Sequence, residues 1–260
     1  MSKKKSNNSN YIFQGAILAS ASIIVRMIGL LYRIPLGRII GDVGNSYYSC
    51  AFEIYSLILL VSSYSLPLAV SKIVSARIGT GDHGNIRRIL KCALGFGLFV
   101  GILGALAAYF GADFLTGTVL NTPEGAICLR VLAPCILIMG VLGVIRGYFQ
   151  GHGTMIPTAI SQIIEQIVNA VVAVAAAWYL FGYGQKIDAV LGTDTAAPAY
   201  GASGSTLGTT LGALAALFFV SFLLIIFLKS EKKKTFRKLW FDSCSSDHDN
   251  SAGHFKYGNL

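Results

Sequence analysis

The sequence predicts an all-α membrane protein that crosses the bilayer six times. Of its 260 residues, 54% are hydrophobic and only 13% are charged, and the mean hydropathy is +0.63. A soluble domain carries roughly a quarter charged residues, so this composition cannot form a soluble surface. Six apolar runs each reach the length of about 20 residues that a helix needs to span hydrocarbon. The net charge of +9 lies in short clusters beside these runs, which indicates orientation in a membrane and not nucleic-acid binding.

The predicted spans are joined by short connections, apart from a longer outer loop at residues 182–202. Pro157 suits the first turn of the fifth span, where a missing N–H does no harm. Pro67 and Pro134 fall inside spans and are expected to kink them. The six predicted spans are residues 11–36, 48–71, 89–112, 126–145, 156–181 and 203–228.

The Lys and Arg distribution predicts that both termini are cytoplasmic. With the N-terminus inside, the inner side holds 15 Lys and Arg residues, Arg146 among them as a loop residue, and the outer side holds 4. Cytoplasmic loops carry the excess of positive charge in membrane proteins. We therefore expect a basic cytoplasmic N-terminus (residues 1–10), a membrane lobe (11–230) and a cytoplasmic polar tail (231–260).

Three of the predicted spans carry one narrow polar stripe each. Positions i, i+4, i+7 and i+11 lie on one face of a helix. Because a stripe must avoid hydrocarbon, helices one, two and five are predicted to surround a polar interior. The stripes are Ser22, Arg26, Gly29 and Arg33 in span one; Ser49, Glu53 and Ser56 in span two; and Thr158, Gln162, Glu165 and Asn169 in span five.

Arg26 is the most informative residue because it lies deep in span one. Arginine stays charged in proteins, so it needs a carboxylate, a water-filled cavity or an anionic ligand. Glu53 and Glu165 are its candidate counter-ions, and a structural ion pair remains open. Arg33 is nearer the outer interface, where it could snorkel. Glu165 could bind a proton or cation, pair with Arg26, or serve as a hydrogen-bonding strut.

Motifs for catalysis or metal binding are not found in the sequence. It has no HExxH, no GxSxG and no CxxC, and its five cysteines are interpreted as small hydrophobic residues. No enzymatic activity and no cofactor are therefore expected. The glycine-rich residues 79–85, GTGDHGN, are interpreted as a solvated turn in preference to a phosphate site. Glycines four apart, Gly204, Gly208 and Gly212 with Gly97 and Gly101, predict close helix packing.

Two segments resemble one known family. VRMIGLLYRIPLGRIIG in span one resembles the first helix of the polysaccharide-export branch of the multidrug/oligosaccharidyl-lipid/polysaccharide superfamily. RGYFQGHGTMIPTAISQIIEQ, residues 146–166, is similar to the stage V sporulation protein B and MurJ-like group. The resemblance implies a flippase for undecaprenyl-diphosphate-linked cell-wall precursor, lipid II or a related glycan, working by alternating access between two six-helix lobes. By motif position it implies that Arg26 and Arg33 bind the diphosphate, and it leaves a coupling ion or membrane potential open.

Within this expectation, five polar residues line the cavity beside the two arginines, namely Ser22, Glu53, Gln162, Glu165 and Asn169. The expected partners are the lipid bilayer, a lipid-linked diphosphate glycan and a second six-helix lobe, with no nucleic acid. Family members run to about twice this length, and the polar tail suggests a truncation or a frameshift near residues 234–243. The alternatives are a MATE-like cation or drug antiporter, which would use Glu53 or Glu165, and an inactive membrane remnant.

Overall fold

The computed structural model describes the backbone of residues 2–63, 65–80 and 83–254, and side chains within 13–63, 65–80 and 85–230. The described part is helical and contains no strand, which confirms the all-α class. Five helices are long and apolar enough to cross a membrane. The elements are α1 (Ser2–Ser62), α2 (Leu66–Gly79), α3 (His83–Phe110), a short π-helix (Phe114–Val119), α4 (Gly125–Gly151), α5 (Ile156–Leu191) and α6 (Ala196–His254).

Helix α1 contains the first predicted span and the first part of the second, and the chain reverses direction between them at Gly41. Gly41 has φ 68° and ψ −177°, a backbone conformation that is essentially restricted to glycine. Arg33 and Tyr48 would lie roughly 22 Å apart along a straight helix. Instead, the Arg33 guanidinium carbon lies 6.0 Å from the centre of the Tyr48 ring. Residues 2–40 and 42–62 therefore form an antiparallel hairpin.

The first half of α1 runs parallel to α5. The N–H of Met155 donates to Gln14 Oε1 at 2.8 Å, and Asn169 Nδ2 donates to Tyr32 Oη at 3.5 Å. The two residues of each pair are separated by 141 and 137 positions in the sequence. A nearly constant separation means that residue numbers rise together along both helices, so the helices are parallel. The first and fifth predicted spans thus run in the same direction.

Contacts between the other helices complete an alternating arrangement. The second half of α1 runs parallel to α4, because Cys50 lies beside Gly125 and Tyr55 bonds to Cys135, so residue numbers rise together along both helices. Helix α3 runs antiparallel to α4, and α5 runs antiparallel to α6, because residue numbers rise along one helix of each pair where they fall along the other. Six crossing segments of alternating direction are therefore present within the described residues, as the six predicted spans require.

Two helix boundaries differ from the prediction. The second predicted span is interrupted, because α1 ends at Ser62 and α2 begins at Leu66. Pro67 lies in the first turn of α2 and starts a helix there, so the expected kink is wrong. Proline suits this position because its N–H would have no partner anyway. The same logic is confirmed at Pro157, in the first turn of α5.

The long outer loop predicted at residues 182–202 is also wrong. Helix α5 continues to Leu191, and α6 begins at Ala196. The Asp188 carboxylate accepts hydrogen bonds from the backbone N–H groups of Ala196 and Ala197 at 3.0 and 2.8 Å. It thereby satisfies N–H groups at the start of α6 that have no partner within the helix. A carboxylate on one helix can cap the next, which a hydropathy pattern does not reveal.

The glycine spacing in α6 marks a close helix contact, as predicted. A Cβ atom at Gly204 would lie 2.6 Å from the Ala176 backbone, and one at Gly208 would lie 2.6 Å from Ala173. At Gly97, in α3, it would lie 3.1 Å from the Gly140 carbonyl oxygen. Small residues let the helix backbones approach to these distances.

The chain divides into two compact units, Met1–Val220 and Ser221–Leu260. The first contains α1 to α5 and the start of α6, and its core is built around α4, with Leu129, Leu132 and Ile136 fully buried. The second contains the remainder of α6, whose backbone is helical to His254. Side chains of the predicted tail, and residues 81 and 82 of the glycine-rich segment, lie outside the described residues.

Candidate functional site

A buried arginine joins α4 to α5. Arg146 is only 8% exposed. Its Nη2 donates to Glu165 Oε2 at 2.8 Å, and its Nε donates to Ser161 Oγ at 2.9 Å. Ser161 in turn donates to the Thr158 carbonyl oxygen at 2.7 Å. A charged pair in hydrocarbon is tolerated when the partners also satisfy one another's hydrogen bonds, as they do here.

A cavity of about 220 Å³ lies beside this pair. Its wall includes Arg146, Gln150, Thr158 and Gln162, and the hydroxyl-bearing Ser63 from the end of α1. Thr158 Oγ1 and Gln162 Oε1 are buried and have no hydrogen-bond partner among the described residues. Buried polar atoms of this kind are usually satisfied by ordered water, and the cavity has the size and polarity to hold it.

The assignment of Arg146 to an inner loop is wrong. Helix α4 continues to Gly151, which places Arg146 in its last two turns with Gln150 four residues later on the same face. Without Arg146, the inner side still holds far more Lys and Arg residues than the outer side, so the predicted orientation is unchanged. The sequence signal that could have placed Arg146 on the helix is its spacing of four residues from Gln150. The two polar residues directly follow the apolar run and share one helical face.

Glu165 has a counter-ion, but a different one from that expected. Among the described residues Glu165 pairs with Arg146, and no ion pair joins Arg26 to Glu165 or Glu53. The pairing favours the counter-ion and strut interpretation of Glu165, with the arginine supplied by α4. Sequence reasoning missed this because it assigned a polar face only to spans one, two and five.

The rest of the span-five stripe faces α1. Asn169 is buried and bonds to Tyr32. A Cβ at Gly29 would lie 3.2 Å from Gln166 Nε2, so the Gly29 position of the span-one stripe lies against α5. The stripe that begins at Thr158 is thus turned towards α1 and α4.

Arg26 and Arg33 have exposed side chains on the first half of α1. Ser22, one turn before Arg26, is half-buried and donates to the Leu18 carbonyl oxygen at 2.9 Å. Arg33 lies over the Tyr48 ring, and Glu53 is exposed on the second half of α1. The structure therefore separates two polar regions, a buried one at Arg146 and an exposed one at the arginine stripe.

The exposed region has the chemistry of an anion site. Arg26 and Arg33 are seven residues apart, about 10 Å along the helix axis, and project from the same face. Each guanidinium offers several donors in a planar fork that matches phosphate oxygens. No group of three or more His, Cys, Asp and Glu residues that could hold a metal ion occurs in the part of the chain that the structure describes.

The sequence of the chain is similar to those of known proteins. Over 227 residues the chain is 28% identical to stage V sporulation protein B of Bacillus subtilis (strain 168), covering 87% of the chain and 40% of that protein. It is 28% identical over 172 residues to the lipid II flippase MurJ of the same strain, covering 63% of the chain and 32% of MurJ. It is also 28% identical over 211 residues to the uncharacterized membrane protein YabM of that strain, covering 81% of the chain and 37% of YabM.

The chain thus matches about two fifths or less of the length of these relatives. No solved structure gives a significant match. The matches confirm the resemblance to the sporulation protein and MurJ-like group, and with the apolar helices they identify a multi-pass protein of the bacterial plasma membrane. The family model for polysaccharide biosynthesis proteins matches residues 14–252. The chain belongs to the polysaccharide biosynthesis protein family.

Proposed function

We propose that the chain is one six-helix lobe of a flippase that moves an undecaprenyl-diphosphate-linked cell-wall precursor across the membrane by alternating access. The observation that carries the proposal is the exposure of Arg26 and Arg33 on one face of a membrane-spanning helix. A guanidinium at this depth is costly unless it meets water or an anion. A diphosphate in a cavity between lobes supplies that anion.

The division of labour among the arginines supports this proposal. Arg146 is neutralised by Glu165, so it holds α4 to α5 and leaves no net charge. Arg26 and Arg33 have no such carboxylate partner among the described residues. The uncompensated positive charge therefore lies on α1, where Ser22 and the exposed Glu53 would flank the substrate.

The same geometry supports the proposal of a second lobe. The exposed stripe on α1 is open on one side, whereas a transport pathway must be enclosed by protein. The relatives that the chain matches are more than twice as long as the matched part. We therefore propose that a second six-helix lobe covers the stripe and alternates with this one.

The cation-antiport alternative is less well supported. It requires a carboxylate that is free to bind or release a cation. Glu165 is held by Arg146, which leaves only the exposed Glu53 of the two candidates. Two exposed arginines would also repel an organic cation. An enzymatic role finds no catalytic motif in the sequence, so we propose transport without a cofactor.

The proposal is tested by binding of undecaprenyl diphosphate to the purified chain in lipid nanodiscs. Arg26→Ala is expected to weaken binding about 10- to 100-fold, since a hydrogen bond to a charged group contributes about 1.5–3 kcal/mol. Arg26→Lys should give an intermediate loss, because lysine offers a point charge instead of a fork.

Arg38→Ala is the matched control, because Arg38 is also exposed on α1 but lies off the stripe. Its affinity should equal that of the unmodified chain. Unchanged affinity in both Arg26→Ala and Arg33→Ala would contradict the proposed diphosphate role.

A further inference from the structure

An apolar groove with a basic rim lies between α2 and α3, away from the arginine stripe. It has a volume of about 560 Å³, within the range of roughly 300–1,000 Å³ that is typical of small-molecule sites. Leu66, Val70 and Ile73 of α2 form one wall, and Phe96 of α3 forms part of the other. An apolar groove of this volume suits a hydrocarbon chain.

The rim of the groove carries two arginines. Arg77, in the last turn of α2, and Arg88, in the second turn of α3, both line it, and both have exposed side chains. Residues 65–96 contain five basic residues and a single acidic one, Asp82. The groove therefore combines an apolar floor with a strongly positive edge.

The charge distribution places this rim at the cytoplasmic surface. The segment from Lys72 to Lys91 contributes a third of the Lys and Arg on the side predicted to face the cytoplasm. The cytoplasmic leaflet carries anionic phospholipids, and basic pockets between membrane helices on that side bind their head groups. Charge and shape thus point to the same kind of ligand.

We propose that the groove binds one anionic phospholipid of the cytoplasmic leaflet. One acyl chain lies against Val70, Ile73 and Phe96, and the phosphate lies at Arg77 and Arg88. The lipid would anchor the short helix α2 beside α3. The inference does not depend on the proposed flippase function, because it uses none of the residues of the arginine stripe.

A tryptophan placed in the groove tests the proposal directly. Phe96→Trp, with Trp178→Phe and Trp240→Phe, leaves a single reporter on an exposed wall position. The full chain is reconstituted in vesicles of equal parts phosphatidylglycerol and phosphatidylcholine, with bromine atoms on the acyl chains of only one lipid. Brominated phosphatidylglycerol should quench the reporter several-fold more than brominated phosphatidylcholine at the same composition.

Phe110→Trp in the same background is the matched control. Phe110 is exposed at the other end of α3 and does not line the groove, so both brominated lipids should quench it equally. The double variant Arg77→Gln and Arg88→Gln should abolish the preference at Phe96→Trp. Gel filtration and circular dichroism verify that each variant is folded.

Three results would overturn the proposal. Equal quenching of the groove reporter by both lipids would show no selectivity for the anionic lipid. If the preference for the anionic lipid survived the double arginine variant, or appeared equally at Phe110→Trp, it would arise from the general lipid-facing surface and not from the groove.

Discussion

At the scale of single residues, the arginines of the transmembrane helices differ in what compensates their charge. Arg146 is enclosed between α4 and α5 and donates to Glu165 and Ser161. Arg26 is exposed and has no carboxylate partner among the described residues. The same side-chain chemistry therefore acts structurally in one place and is available to a ligand in the other.

The buried pair predicts a strong effect of removing one charge. Glu165→Gln leaves Arg146 uncompensated, and breaking a buried ion pair in this way costs about 3–5 kcal/mol. Thermal unfolding of the purified chain in detergent, followed by circular dichroism, should show a clearly lowered midpoint. Glu53→Gln is the matched control, because Glu53 is exposed, and it should change the free energy of unfolding by about 0.5 kcal/mol or less.

Replacing both partners by apolar residues separates pairing from packing. Arg146→Met with Glu165→Leu removes both charges together, and such replacements are often neutral in buried pairs. The double variant should therefore unfold at a higher temperature than Glu165→Gln. An equal or lower midpoint would show that Arg146 contributes chiefly through other contacts.

At the scale of elements, one glycine decides how α1 is divided. At φ 68° and ψ −177°, Gly41 allows residues 2–40 and 42–62 to fold back on each other. A long apolar stretch that lacked this break would continue as a single helix. The hairpin brings Tyr48 next to Arg33 and so builds one edge of the exposed stripe.

Gly41→Ala is expected to destabilise the hairpin by about 1–3 kcal/mol, the cost of a non-glycine residue in this backbone region. Gly37→Ala is the control, because Gly37 is helical and a Cβ there meets nothing within 4 Å. It should be neutral or stabilise by roughly 0.5–1 kcal/mol. Chemical denaturation in detergent compares the two, and equal stabilities would refute a role for the Gly41 conformation.

The contact between α5 and α6 predicts a second element-level effect. Gly208→Ala would place Cβ 2.6 Å from the Ala173 backbone, so the helices must separate, at a cost of about 1–3 kcal/mol for overpacking. At Gly182, on α5, a Cβ meets nothing within 4 Å. A lowered thermal midpoint for Gly208→Ala but not for Gly182→Ala is the expected result, and similar midpoints would exclude a tight contact.

At the scale of the whole molecule, the alternating segments predict a topology that can be measured. The turn between α5 and α6 should face outward, and α2 should lie at the inner surface. In a Cys92→Ser and Cys244→Ser background, Asp194→Cys should react in intact cells with a membrane-impermeant maleimide. Ser75→Cys, also exposed, should react only after the cells are opened. The reverse pattern would invert the orientation.

The sequence predicted the helical membrane class and six helical segments of alternating direction, whereas the cavity-lining role of the span-five stripe stays a prediction. For Arg26 it left open a carboxylate partner, a water-filled cavity or an anionic ligand. It misplaced Arg146 because a single arginine after an apolar run has the appearance of a loop anchor. It misjudged Pro67 and residues 182–202 because helix breaks and caps depend on a few local bonds, such as those of Asp188, which average hydropathy does not register.

Apolar length by itself determined that this chain is a helical membrane protein, since it reflects transfer of each segment from water to lipid. Helical periodicity determined which residues share a face. Only the tertiary structure decided that Glu165 meets Arg146 while Arg26 remains exposed, and that α2 and α3 enclose a groove. Those outcomes depend on which helices become neighbours, and the energy of a buried charge is set by its neighbours and not by its own segment.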